Sequence, residues 1–196
     1  MGGRLTQSSI KKGVFSVNIK KLFAMQNVLD KRVLESKSLS REEVFEFRIL
    51  AFLDELGECM KEWRVFKFWS NDRKPRTSIP TGKIKVLDDG CKVEVYKKPL
   101  LEEYVDGLHF AIGLCIDLKT EINFPASMRC ETVTEQFFEL YHLAIRLKEE
   151  PTAFRADVLL AHYLGLGELL GFTLEEIEYE YIEKNKINHA RQSNGY

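Results

Sequence analysis

The sequence is poor in features that mark several protein classes. It has four cysteines, Cys59, Cys91, Cys115 and Cys130, and no two form a C-x-x-C pair. That excludes a zinc ribbon or a thioredoxin-type site. Thiols scattered in this way read as small core hydrophobes in a reducing compartment, so the expected location is cytoplasmic. Neither sign of charge is in excess: 29 Lys and Arg stand against 30 Asp and Glu, for a net charge of -1. This excludes a nucleic-acid binder working through a broad basic field. The longest uncharged stretches, such as 107–116, are about half the ~20 residues a membrane helix needs, and no membrane partner is expected. No apolar leader opens the chain, so no secretory signal is read. Met1-Gly2 with Thr6 fits the loose myristoylation pattern, but a pattern this short is weak. The motifs GxxxxGK[ST], GxGxxG, HExxH and GxSxG are all missing, and the four histidines, at 109, 142, 162 and 189, lack metal-ligand spacing.

What is present is a globular balance, 44% hydrophobic and 30% charged in 196 residues, enough for one domain with a real core. Apolar residues at Leu22, Met25, Val28, Leu29 and Val33 predict a helix over 19–36. Ser40-Arg-Glu-Glu43 is a capping box, opening a helical run to about Phe68. Residues 71–82 read as loop. Alternation in 83–97 around Asp88-Asp89-Gly90 predicts a β-hairpin. Pro99 opens a helix to about Leu118, and 119–130 is a connection. Thr132-Val-Thr-Glu135 caps a helix ending near Glu150, Pro151 starts one ending at Gly171, and Thr173-Leu-Glu-Glu176 caps a last helix running into a polar tail. The expected fold class is all-α: a single domain over 1–196, a bundle of five to six helices with a small inserted hairpin.

The chemistry begins with acids. Glu55, Glu58 and Glu62 share one face of the second helix. Alone, this is what a solvated charged face looks like. The helix after Pro99 is apolar nearly all round, hence buried, yet Glu103 and Asp106 sit in it with no Lys or Arg from Leu100 to Leu118 to pair with them. A buried carboxylate is costly unless paired or metal-bound. Two helices each presenting two acids can face one another, as in bundle metal sites. Hard cations such as Mg²⁺ take oxygen ligands and keep room for substrate phosphates, so a Mg²⁺–phosphate site is expected. In the tail, Lys184, Asn185, Lys186, Asn188, Arg191, Gln192 and Asn194 suit phosphate oxygens. Composition alone favours a frayed, solvated terminus there. His109, one turn beyond Asp106, reads equally as a site residue or a satisfied core histidine.

Taken together these residues resemble the all-α dimeric dUTP diphosphatases, within the MazG-like all-α NTP pyrophosphatases. The group's mark is ExxE on one helix and ExxD on another, here Glu55-Leu-Gly-Glu58 and Glu103-Tyr-Val-Asp106. Three segments resemble the dUTPase branch: MQNVLDKRV around Gln26 and Asp30, EWRVFKFWS at 62–70, and EKNKINHARQSNGY at 183–196. The spacer between the acidic motifs is long because it holds the hairpin, and Asp30 stands where some relatives have Asn. The resemblance implies Mg²⁺-dependent hydrolysis of dUTP to dUMP and pyrophosphate by a homodimer. It implies Glu55, Glu58, Glu103 and Asp106 as metal ligands, with Glu58 or Glu55 as proton acceptor. It implies Lys184, Asn185, Asn188, Arg191 and Gln192 at the phosphates, Gln26, Asp30, Lys67 and Trp69 at the base, and Phe110 near the sugar. A relative acting on dCTP or another non-canonical nucleotide, and a non-enzymatic helical interaction module, remain the alternatives.

Overall fold

The computed structural model describes residues 19–121 and 126–195; the Met1-Gly2 and Thr6 pattern lies outside them. In these ranges the chain forms α1 (Ile19–Lys37), α2 (Arg41–Trp63), β1 (Ile79–Val86), β2 (Lys92–Lys97), α3 (Pro99–Asp117), α4 (Val133–Glu149), α5 (Ala153–Leu169) and α6 (Leu174–Ser193). The all-α expectation holds, with one antiparallel two-stranded ribbon inserted between α2 and α3.

Local signals set most boundaries. Ser40, Thr132 and Thr173 each accept from the backbone of a Glu three residues on, whose carboxylate reaches back to the cap backbone. The reciprocal bonds satisfy N–H groups that a helix start otherwise leaves orphaned. Elsewhere the structure differs from the sequence expectation. α2 stops at Trp63, not near Phe68, because Arg64 turns left-handed (φ 61°) and its guanidinium binds Asp72. The helix expected from Pro151 starts at Ala153, because the Thr152 side chain supplies its cap. The loop expected over 71–82 already contains the start of β1 at Ile79, with the pairing shifted between Pro80 and Ile84. Finally, the polar tail is helical to Ser193: the Arg32 guanidinium on α1 donates to the His189 carbonyl (3.2 Å) and to Ser193 Oγ (2.9 Å).

α3 is the central element. It packs against α2, α5, α1 and α6, as its nearly all-round apolar surface requires. Its contact with α5 is close. There Tyr104 and Tyr163 stack with ring centroids 4.9 Å apart, and each hydroxyl donates to the other's carbonyl. The contact exists because a Cβ on Gly107 would lie 2.1 Å from the Tyr163 hydroxyl, and one on Gly167 would lie 2.5 Å from that of Tyr104. The α3 backbone is thereby anchored beside its acids. Among the described residues no single helix is long and apolar enough to cross a membrane.

Candidate active site

The packing of α2 on α3 brings both acidic pairs to one face. Glu55, Glu58 and Glu103 are each partly buried, and one carboxylate oxygen from each lies within 4.8 Å of the others. Burial first, then the neighbouring acids, push the carboxyls of Glu55 and Glu103 up to about 7. These are mutually repelling groups with few cations between them. Asp106 faces α6, where the Lys184 ammonium donates to it, yet burial still holds its carboxyl above the usual range. Glu62, on the same face by sequence, does not join: Arg76 binds it at 3.3 Å. Glu58 lies at the rim, where Lys61 pairs with it at 3.0 Å.

Beside the acids is a cavity of about 470 Å³ between α1, α2, α3 and α6. Nine of the residues proposed from sequence line it: Gln26, Asp30, Glu55, Asp106, Phe110, Lys184, Asn188, Arg191 and Gln192. Glu58 and Glu103 adjoin it through the carboxylate cluster. Three others are not brought into its wall. Asn185 is buried, its Nδ2 without a partner among the described residues. Lys67 and Trp69 lie past the end of α2, and Trp69 is exposed, touching Phe66 and Phe68 edge to face.

The wall away from the acids is a closed polar network. Asp30 accepts from the Gln26 amide (2.7 Å) and from Arg48 Nη1 (3.1 Å). Asp117 is held by Arg41 (2.7 Å) and Arg48 Nε (2.8 Å), and Arg41 also reaches Asp30 at 3.4 Å. Arg48 fits because position 113 is glycine; a Cβ there would meet its Nη1 at 2.3 Å. On the other side of the Gln26 amide, its oxygen accepts from the Tyr181 hydroxyl (2.8 Å) and faces His109 Nδ1 at 2.7 Å. The His109 ring stacks on Tyr181 at 3.8 Å, and burial, then the Lys184 charge, push its pKa down to about 3. Sequence reading missed Arg41, Arg48, Asp117 and Tyr181. A signal existed for two of them: Arg41, Arg48 and Glu55 are seven residues apart, one stripe of α2.

A helical bundle with clustered acids from two facing helices, opposed by Lys and Arg from a third, is a phosphate-processing site of the kind divalent metals serve. The dUTPase family model matches residues 18–81 and 92–196, and the chain belongs to that family. The unmatched gap covers the tip of the hairpin. The chain is accordingly a dUTP diphosphatase with a nucleotide substrate, from a family whose members generally use a divalent metal. Neither the comparison with curated proteins nor that with solved structures returned a match.

Proposed function

We propose that Glu55, Glu58, Glu103 and Asp106 hold Mg²⁺ against the triphosphate of dUTP, and that the chain acts as a cytoplasmic homodimer releasing dUMP and pyrophosphate. The observation that carries this is the trio of carboxylate oxygens within 4.8 Å of one another. The donor set fits the ion: all-oxygen, anionic, and too few cations nearby to neutralise it. Mg²⁺, when bound, supplies positive charge against the phosphate oxygens.

The chain's own groups do the rest. Lys184, Asn188, Arg191 and Gln192 rise along α6 beside the acids and bind the phosphates, Arg191 as a fork and Lys184 as a point charge. Asn185 supports them from beneath. Glu58, at the rim where water has access, accepts the proton of the attacking water, and the more buried Glu55 holds its place beside it. Gln26 and Asp30 form the base end of the cavity, and Phe110 lies against the sugar. Lys67 and Trp69 lie outside the cavity wall and are given no role at the base. Exposed Phe47 and Leu50 on α2, Phe47 at the cavity rim, support a partner subunit covering this side.

The test is pyrophosphate release from a nucleotide panel with and without EDTA, beside light scattering for the dimer. Hydrolysis of dUTP that stops with EDTA and returns with Mg²⁺ is expected. Turnover that persists in EDTA removes the metal assignment, and a monomeric mass removes the homodimer.

A further inference from the structure

The acceptors of the Gln26 side chain are fully used. Its amide nitrogen donates to Asp30, a carboxylate already fixed by two guanidiniums. This sets the orientation of the amide: turned over, its oxygen would face the anion. The amide oxygen then takes a hydrogen from the Tyr181 hydroxyl. It can only accept from His109 too, so His109 Nδ1 carries the proton. The neutral ring is left with a bare lone pair on Nε2. That atom is buried and has no partner among the described residues, while its residue is 5% exposed and lines the cavity. An unpaired buried acceptor held in one tautomer by three other residues calls for a donor.

Resting on the reading of this cavity as the nucleotide site, we infer that His109 Nε2 accepts the N3–H of uracil and is the residue that separates uracil from cytosine. Uracil N3 carries a hydrogen between two carbonyls. Cytosine N3 carries a lone pair instead, so it would meet the His109 lone pair head on. Pairing with cytosine would need a protonated His109, which the low pKa of the ring opposes. Gln26, Asp30 and Tyr181 are positioning residues: they fix the tautomer without needing to touch the base. A site built this way rejects the wrong partner through an unpaired buried group, which discriminates far more sharply than shape.

The other donor that dUTP could offer is the sugar 3′-hydroxyl, and the experiment separates the two. Values of kcat/KM are measured for dUTP, dCTP and 2′,3′-dideoxyuridine triphosphate with wild type, His109→Phe and His109→Gln. The expected result is a dUTP/dCTP ratio that falls about tenfold to a hundredfold in His109→Phe, is partly kept in His109→Gln, and arises from loss on dUTP. An unchanged ratio in His109→Phe overturns the inference. So does a handicap of the dideoxy substrate that vanishes in that variant, which would assign Nε2 to the 3′-hydroxyl. A second measurement needs no variant. In wild type with ¹⁵N-labelled histidine, the His109 Nε2 resonance is expected to be that of an unprotonated nitrogen and to move with dUMP but not dCMP. A protonated Nε2, or equal responses to both, also overturns it. If wild-type enzyme itself shows no preference for dUTP, the uracil reading of the cavity falls with it. If the preference stands while His109→Phe retains it, only the role of His109 fails.

Discussion

α2 carries two charged regions only two turns apart, and they are opposite in kind. At its N-terminal end Arg41 and Arg48 meet Asp30 and Asp117 at 2.7 to 3.4 Å, a balanced two-by-two network. At its centre Glu55 and Glu58 meet Glu103 with carboxylates crowded together. The first region is balanced in charge and ties α1, α2 and α3 together. The second is left in deficit, and the deficit shows as two carboxyls pushed up to about 7. Buried charge that is paired within the protein is architecture; buried charge left unpaired is a binding site.

The comparison breaks most visibly at Arg48. Arg48→Met leaves Asp30 and Asp117 with only one of their two shared cations, and urea unfolding should show a loss of about 3–5 kcal/mol. The same kind of deletion in the other region should act in reverse. Glu103→Gln removes one of the repelling anions, so turnover of dUTP should drop about a hundredfold or more, while the melting temperature in EDTA holds or rises. A variant that melts lower in EDTA would show that Glu103 is structural. Magnesium sharpens the contrast: wild type with Mg²⁺ and a non-hydrolysable dUTP analogue should gain several degrees, and Glu103→Gln much less.

The smallest effect is in pH. Glu55 and Glu103 ionise near 7 in the folded chain against an ordinary 4.5. The folded state therefore binds more protons than the unfolded one between those values, and raising the pH through that window removes stability. In EDTA the melting temperature contributed by these groups should fall from pH 4.5 to 7. The slope should be shallower in Glu103→Gln. A slope identical in both proteins would show that the cluster does not couple to folding.

Much of the fold was legible because its signals are local. The Ser40, Thr132 and Thr173 boxes lie within four residues, as does the Asp88-Asp89-Gly90 turn, and each is realised. The end of α2 was not, because Arg64 takes the left-handed turn that a glycine would have announced. The helical tail was misread for a different reason: what holds it is Arg32, 157 residues from His189. The acids were legible because i,i+3 spacing on an apolar helix is itself anomalous. The surroundings of His109 were not, since Gln26, which it contacts, lies 83 residues away.

The ammonium of Lys184 rests on Asp106 and balances its charge. It can give up that post without leaving either charge stranded only when phosphate oxygens receive it and a cation takes its place on Asp106. Cation and nucleotide should then enter as a pair, each raising the other's occupancy, so titrations of either alone would report weaker binding than the two together.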